Sequence, residues 1–124
     1  MMAPPARDMA AQAGSGKLAL QRCALCGRMQ YPPREVCSTC LADQLEWHVS
    51  EAEDGEVLAS TVLHHSHEPA FRNALPLCIG LVQFDCGVTA VCFLADGCIP
   101  RTRVRITARA DPEGRTVLTA SPAL

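Results

Sequence analysis

The sequence predicts a mainly β protein in which a small cysteine-held ribbon precedes a five-stranded barrel. Three observations carry that expectation. Two Cys-x-x-Cys pairs, Cys23-Ala-Leu-Cys26 and Cys37-Ser-Thr-Cys40, stand ten residues apart. The stretch between them holds Pro32-Pro33 and lacks helical periodicity. From Glu56 onward, short apolar runs alternate with turn residues at a spacing that suits hairpins rather than strand–helix–strand units.

In chain order, Met1 to Gly16 is rich in Ala, Pro, Gly and Ser, and residues 1–15 are expected to be a flexible segment with Asp8 to Ala13 as its best helical part. Lys17 to Arg22 places Leu18 and Leu20 in alternation with polar residues, a short strand leading into the first cysteine pair. Tyr31-Pro32-Pro33-Arg34 stiffens the approach to Cys37, because each proline fixes φ. Leu45 and Trp47 alternate with Glu46 and His48 in a strand that returns beside the first. Trp47, the single tryptophan, is expected to cover the joint between ribbon and barrel. The acidic run Ser50 to Glu56 ends in Asp54-Gly55, a turn signal that puts the ribbon at 16–49 and the barrel domain at 50–124.

The barrel strands are expected at Glu56 to His65, Leu75 to Phe84, Val88 to Leu94, Arg103 to Ala110 and Thr116 to Ala120. Asp85-Cys86-Gly87 makes a tight hairpin and Asp111-Pro112-Glu113-Gly114 another turn. The runs ending at Phe84 and Leu94 are apolar at odd and even positions alike, so both of their faces need cover, from barrel closure or from another protein. Five strands in about 65 residues suit an OB-fold barrel.

The cysteine pairs offer four thiolates on two turns, enough to close a tetrahedral site on one Zn²⁺ through Cys23, Cys26, Cys37 and Cys40. Gly27 fits, since the residue after the second sulfur commonly needs a backbone that a side chain opposes. Four protein ligands leave no place for water or substrate, so the site is structural. Iron in a rubredoxin-like site is the alternative metal. A pair of redox dithiols requires a helix start inside a βαβ unit, which this stretch does not supply.

A chain of 124 residues with 48% hydrophobic residues makes one compact unit or two very small ones, and a metal compensates for a thin core. Of eight cysteines, four form the metal-type pairs, and Cys78, Cys86, Cys92 and Cys98 lie among apolar residues, which favours a reducing cytoplasm over a disulfide framework. Ionising four thiols and adding one Zn²⁺ takes the formal charge from −2 to about −4, a balance that does not seek nucleic acid. No stretch approaches the roughly 18 apolar residues of a membrane span, and the opening lacks a secretory apolar core. A soluble, unexported protein is expected.

Gly16-Lys17-Leu18, Gln21-Arg22-Cys23, Cys26-Gly27, Tyr31-Pro32-Pro33-Arg34, Cys37-x-x-Cys40 and Leu45-Glu46-Trp47, followed by Gly55-Glu56-Val57 and Ser60-Thr61-Val62, resemble the bacterial and archaeal proteins that join a rubredoxin-like zinc ribbon to an OB-fold. The resemblance runs from Gly16 to about Ala110 and is most specific in the ribbon. It implies an accessory subunit of a thiolase-like acyl-CoA enzyme or acyltransferase complex, a hetero-oligomer in which the larger chain is catalytic and a CoA thioester is the substrate. Pro100-Arg101 stands where that family commonly has a glycine.

His64, His65, His67 and Glu68 share one loop with Arg72, but adjacent histidines on a strand face opposite ways and no further residue completes a ligand set. The loop reads as a polar barrel mouth, in which Arg72 is the candidate contact for a CoA phosphate. Arg101, Arg103, Arg105 and Arg109 share parity, as a solvated face or an anion-binding stripe, with Val104, Ile106 and Ala108 inward. No catalytic residue is assigned. Two functions follow: a non-catalytic subunit that stabilises its partner and shapes an acyl-CoA entrance, or a stand-alone nucleic-acid-binding ribbon and OB module. The second is short of stacking aromatics, with Phe, Trp and Tyr together only 4% of the chain.

Overall fold

The computed structural model describes residues 4–63, 77–95 and 99–123. Helix α1 (Pro4–Gly14) leads into β1 (Leu18–Cys23), β2 (Met29–Gln30) and β3 (Leu45–Ser50), which form one antiparallel sheet in the order β2-β1-β3. Then β4 (Glu53–Leu63), β5 (Leu77–Phe84), β6 (Thr89–Leu94), β7 (Arg103–Ala110) and β8 (Thr116–Pro122) close into a barrel in the order β4-β5-β6-β8-β7. This is the ribbon and five-stranded OB-type barrel that the sequence predicts.

The opening segment differs from its expectation. Residues 4–14 are helical, longer than Asp8 to Ala13, and the helix packs on β1, β7 and β8 through buried Met9 and Ala13 rather than hanging free. Proline is tolerated in a first helical turn, where its missing N–H is an orphan donor anyway. The other end is a Schellman stop: Lys17 N–H donates to Gln12 C=O, Gly16 N–H donates to Ala13 C=O, and Gly16 adopts φ +76°. Met9 and Ala13 join Leu18 and Leu20 of β1 and the barrel residues Val57, Val82, Phe84 and Ile106 in one apolar cluster, so ribbon, helix and barrel share a core. Trp47 lies half-buried against that cluster, in the packing position expected of it.

Asp54-Gly55 is not the boundary turn. Gly55 sits inside β4, paired with Phe84 on one side and Val104 on the other, and the chain bends at Glu51–Ala52 instead. The reason is room. A Cβ at Gly55 would lie 2.5 Å from the Gln83 carbonyl oxygen and 3.1 Å from the Phe84 Cα, so glycine here allows close backbone approach. Gly55→Ala is therefore expected to destabilise the chain by about 1–3 kcal/mol, the usual cost of forcing backbone apart in a packed site. Thermal unfolding checks this, and an unchanged midpoint refutes it.

Both turns predicted inside the barrel are present. Gly87 N–H donates to Phe84 C=O with φ +101°, and Gly114 N–H donates to Asp111 C=O with φ +80°. Alternation along β7 sends Val104, Ile106 and Ala108 inward and Arg103, Arg105 and Arg109 outward. Arg101 leaves that stripe, because it precedes the strand in a left-handed turn (φ +74°) that glycine enters at less cost. Asp85 and Arg103 form a two-pronged ion pair at 2.6 and 3.0 Å, and Arg105 lies opposite Asp54, so carboxylates balance much of this face.

The opposite wall is different. Cross-strand rows Ala59↔Leu81↔Val91 and Thr61↔Ile79↔Phe93 point outward from β4, β5 and β6, and Leu81 and Val91 are exposed. Among the described residues, barrel closure thus covers only the inner face of these apolar strands. Phe93 is half-buried on this outer wall, while Phe84 fills the core. Among the described residues, no helix is long and apolar enough to cross a membrane.

Candidate metal centre

The four paired cysteines sit on two turns with the same backbone wiring. In the first, Gly27 N–H donates to Cys23 C=O at 2.9 Å, Cys26 N–H points at Cys23 Sγ at 3.5 Å, and Cys23 N–H donates to Arg28 C=O. In the second, Leu41 N–H donates to Cys37 C=O at 3.0 Å, Cys40 N–H points at Cys37 Sγ at 3.5 Å, and Cys37 N–H donates to Ala42 C=O. Each turn ends on a left-handed residue, Gly27 at φ +77° and Leu41 at φ +63°. At position 27 the sequence announces this with glycine. At position 41 a leucine holds the same conformation at a cost of roughly 1–2 kcal/mol, and its identity gives no warning.

The turns face each other. Cys23 Sγ lies 3.6 Å from Cys40 Sγ and Cys26 Sγ lies 3.7 Å from Cys37 Sγ, with all four sulfurs within 4.8 Å of one another. A zinc–sulfur bond of about 2.3 Å in tetrahedral geometry requires sulfur–sulfur edges of about 3.8 Å. The same gaps far exceed the roughly 2.05 Å of a disulfide, and every described cysteine is free. The donor set therefore fits one zinc ion with no open coordination position. Cys23 and Cys37 are buried, and Cys26 and Cys40 face solvent.

The electrostatics ask for a cation. Amide donors from Cys40 and then Thr39 hold the Cys37 thiol down at about 6, and the Cys26 amide lowers Cys23. At Cys40 the Ala42 amide pulls the same way, but the neighbouring sulfurs, Cys23 first, and burial push the thiol up to about 11. Thiolates this close repel one another, and a divalent cation among them offsets that repulsion. Elsewhere, burial alone pushes Cys92 up to about 12, as befits a small core hydrophobe. Cys78 is only half-buried and Cys86 is exposed on the β5–β6 hairpin, so two of the remaining thiols are less enclosed than their apolar neighbours in sequence suggested. His64, His65, His67, Glu68, Arg72 and Cys98 lie outside the described residues.

Sequence reasoning missed Gln21 and Gln30, the buried polar side chains among the described residues, which hold the proline-containing loop and the second turn. Their only signal is a polar residue at an inward position of a strand.

Family models described as the ChsH2 rubredoxin-like zinc ribbon domain and the ChsH2 C-terminal OB-fold domain match residues 10–46 and 47–113. The chain belongs to the ChsH2 family. A chain of an Ltp2-ChsH2(DUF35) aldolase superposes with a TM-score of 0.80 at 26% identity, over 99% of this chain and 98% of that one. A Sulfolobus solfataricus protein of unknown function from the DUF35 family shares the fold, with a TM-score of 0.68 at 18% identity over 98% and 87% of the two chains. A Thermomonospora curvata protein named as a probable enoyl-CoA hydratase alpha subunit is 34% identical over 76 residues, which is 60% of this chain and 23% of that protein. The chain thus spans about a quarter of the length of this curated relative.

Proposed function

We propose that this chain is a non-catalytic accessory subunit of an acyl-CoA enzyme complex. Its partner is a thiolase-like chain that makes or breaks a carbon–carbon bond, and one structural Zn²⁺ is held by Cys23, Cys26, Cys37 and Cys40. The observation that carries this reading is the end-to-end similarity to a chain of an Ltp2-ChsH2(DUF35) aldolase, joined by a relative named as an enzyme subunit. The chemistry on offer supports it. Among the described residues, the four cysteines are the cluster able to hold a metal, and a site closed by four thiolates cannot polarise a thioester carbonyl. The apolar wall of β4, β5 and β6 supports a permanent interface with the catalytic chain, and a subunit of this kind works in the cytoplasm.

The test is to express the chain alone and with the thiolase-like chain that co-purifies with it, and to assay cleavage and condensation of acyl-CoA. The expected result is no turnover by the chain alone, and a partner that needs it for solubility and activity. Turnover by the chain alone, or a fully soluble and active partner without it, overturns the proposal.

A further inference from the structure

Gln21 and Gln30 are directly opposed across β1 and β2, and at 4% and 7% exposure they are the buried polar side chains among the described residues. Their amides meet: Gln30 Nε2 donates to Gln21 Oε1 at 2.8 Å. From this joint each glutamine reaches a different backbone segment. Gln21 takes Arg34 by both its groups, accepting its N–H at 2.7 Å and donating to its C=O at 2.8 Å. Gln30 brackets a metal ligand, accepting the Ser38 N–H at 2.8 Å and donating to the Val36 C=O at 3.2 Å, one residue on each side of Cys37.

The need for side-chain partners follows from the sequence. Pro32 and Pro33 have no N–H to give a ladder, and the chain from Tyr31 to the second turn runs outside any strand. Arg34, Val36 and Ser38 are exposed residues while the two glutamine amides are buried, so without these backbone partners each amide would leave a desolvated donor or acceptor. The two amides bond four backbone groups of this segment, and no buried side-chain nitrogen or oxygen among the described residues lacks a partner. The network also fixes which end of each amide is oxygen, because the Arg34 and Ser38 N–H groups both demand an acceptor.

We infer that the Gln21–Gln30 pair is a positioning clamp for the metal centre, holding the Cys37–Cys40 turn in its ligating place before the ion arrives and so setting how tightly and how long zinc is kept. This rests on the four-cysteine zinc reading proposed above. Cys23 follows Gln21 by two residues on β1, so the clamp ties the first half of the site to the second through groups that never touch the metal. Partners of this kind behind metal ligands are worth about 10–100-fold in affinity.

The experiment compares the zinc-loaded full chain with Gln21→Met, Gln30→Met and the double variant, which keep length and lose the polar groups. Zinc affinity and release rate are read by competition with a chromogenic chelator, and the Co²⁺-substituted proteins report tetrahedral thiolate geometry by their absorption. Leu118→Ala, a barrel-core change with a comparable loss of thermal stability, and exposed Gln83→Met serve as controls. The expected result is zinc bound 10–100-fold more weakly and released correspondingly faster in each clamp variant, at unchanged stoichiometry. The double variant should be little worse than Gln30→Met alone, and both controls should stay near wild type. For a variant that does not fold on expression, the zinc concentration needed to refold the denatured chain gives the same comparison. Affinity within twofold of wild type, or a loss matched by Leu118→Ala, overturns the clamp while leaving the zinc site intact. A wild-type chain that holds neither zinc nor iron overturns both.

Discussion

Stripping the metal from the purified chain is expected to unfold the ribbon first, with Trp47 as the reporter. Structural zinc in small thiolate sites contributes roughly 10–16 kcal/mol of apparent binding free energy, and because the unfolded chain has no preformed site that energy is folding energy. A domain whose whole stability is about 5–15 kcal/mol does not survive its loss. Trp47 is the single tryptophan, lies on β3 and packs half-buried on the shared core, so its emission moves to the red when the ribbon opens. Cys37→Ser has the same effect without a chelator, since it removes the buried sulfur on which the Thr39 and Cys40 amides converge. The measurements are elemental analysis, giving one zinc per chain, and fluorescence-detected unfolding with and without chelator. A native protein without zinc or iron, or a Cys37→Ser variant with unchanged metal content and stability, sinks the assignment.

Val91→Glu is expected to leave the isolated chain folded and zinc-loaded while abolishing its association with the proposed catalytic partner. Val91 is 60% exposed and faces outward from β6 beside Leu81, so a carboxylate there stays in water when the chain is alone and shifts stability by no more than about 0.5 kcal/mol. Inside an interface the same carboxylate is buried unpaired, at an expense of several kcal/mol, and each 1.4 kcal/mol is tenfold in affinity. Arg109→Glu, on the outward face of β7, is the matched control and should leave association within a few fold. Co-purification and sedimentation of mixed subunits read both. Val91→Glu that assembles normally would place the partner elsewhere.

What the sequence made legible is what rests on local rules. The Cys-x-x-Cys spacing brought four sulfurs together because each turn is wired by its own backbone, and β7 spans Arg103–Ala110 as expected because strict alternation leaves little freedom in register. The errors came from reading long-range packing as local chemistry. Asp54-Gly55 carries a turn signature, yet its glycine serves the close passage of β5 inside a strand. The Ala-rich opening has few large apolar residues, yet Met9 and Ala13 suffice once β1, β7 and β8 form a surface to receive them. The left-handed backbone at Leu41 and Arg101 is imposed by what surrounds those residues, and neither side chain advertises it. Gln21 and Gln30 read as ordinary polar positions until the proline loop is seen to depend on them.

The barrel closes over a short seam. Among the described residues, β6 and β8 run parallel and meet at two residue pairs, Phe93↔Thr119 and Leu94↔Ala120, against seven pairs between β7 and β8. In effect the barrel is a curled five-stranded sheet fastened by a latch, and a latch this brief is the least expensive place for the structure to breathe. Parting it leaves every antiparallel ladder in place and bares the inner side of β6, where Cys92 sits in the core. A thiol reagent is thus expected to reach buried Cys92 through latch opening, ahead of unfolding of the whole barrel.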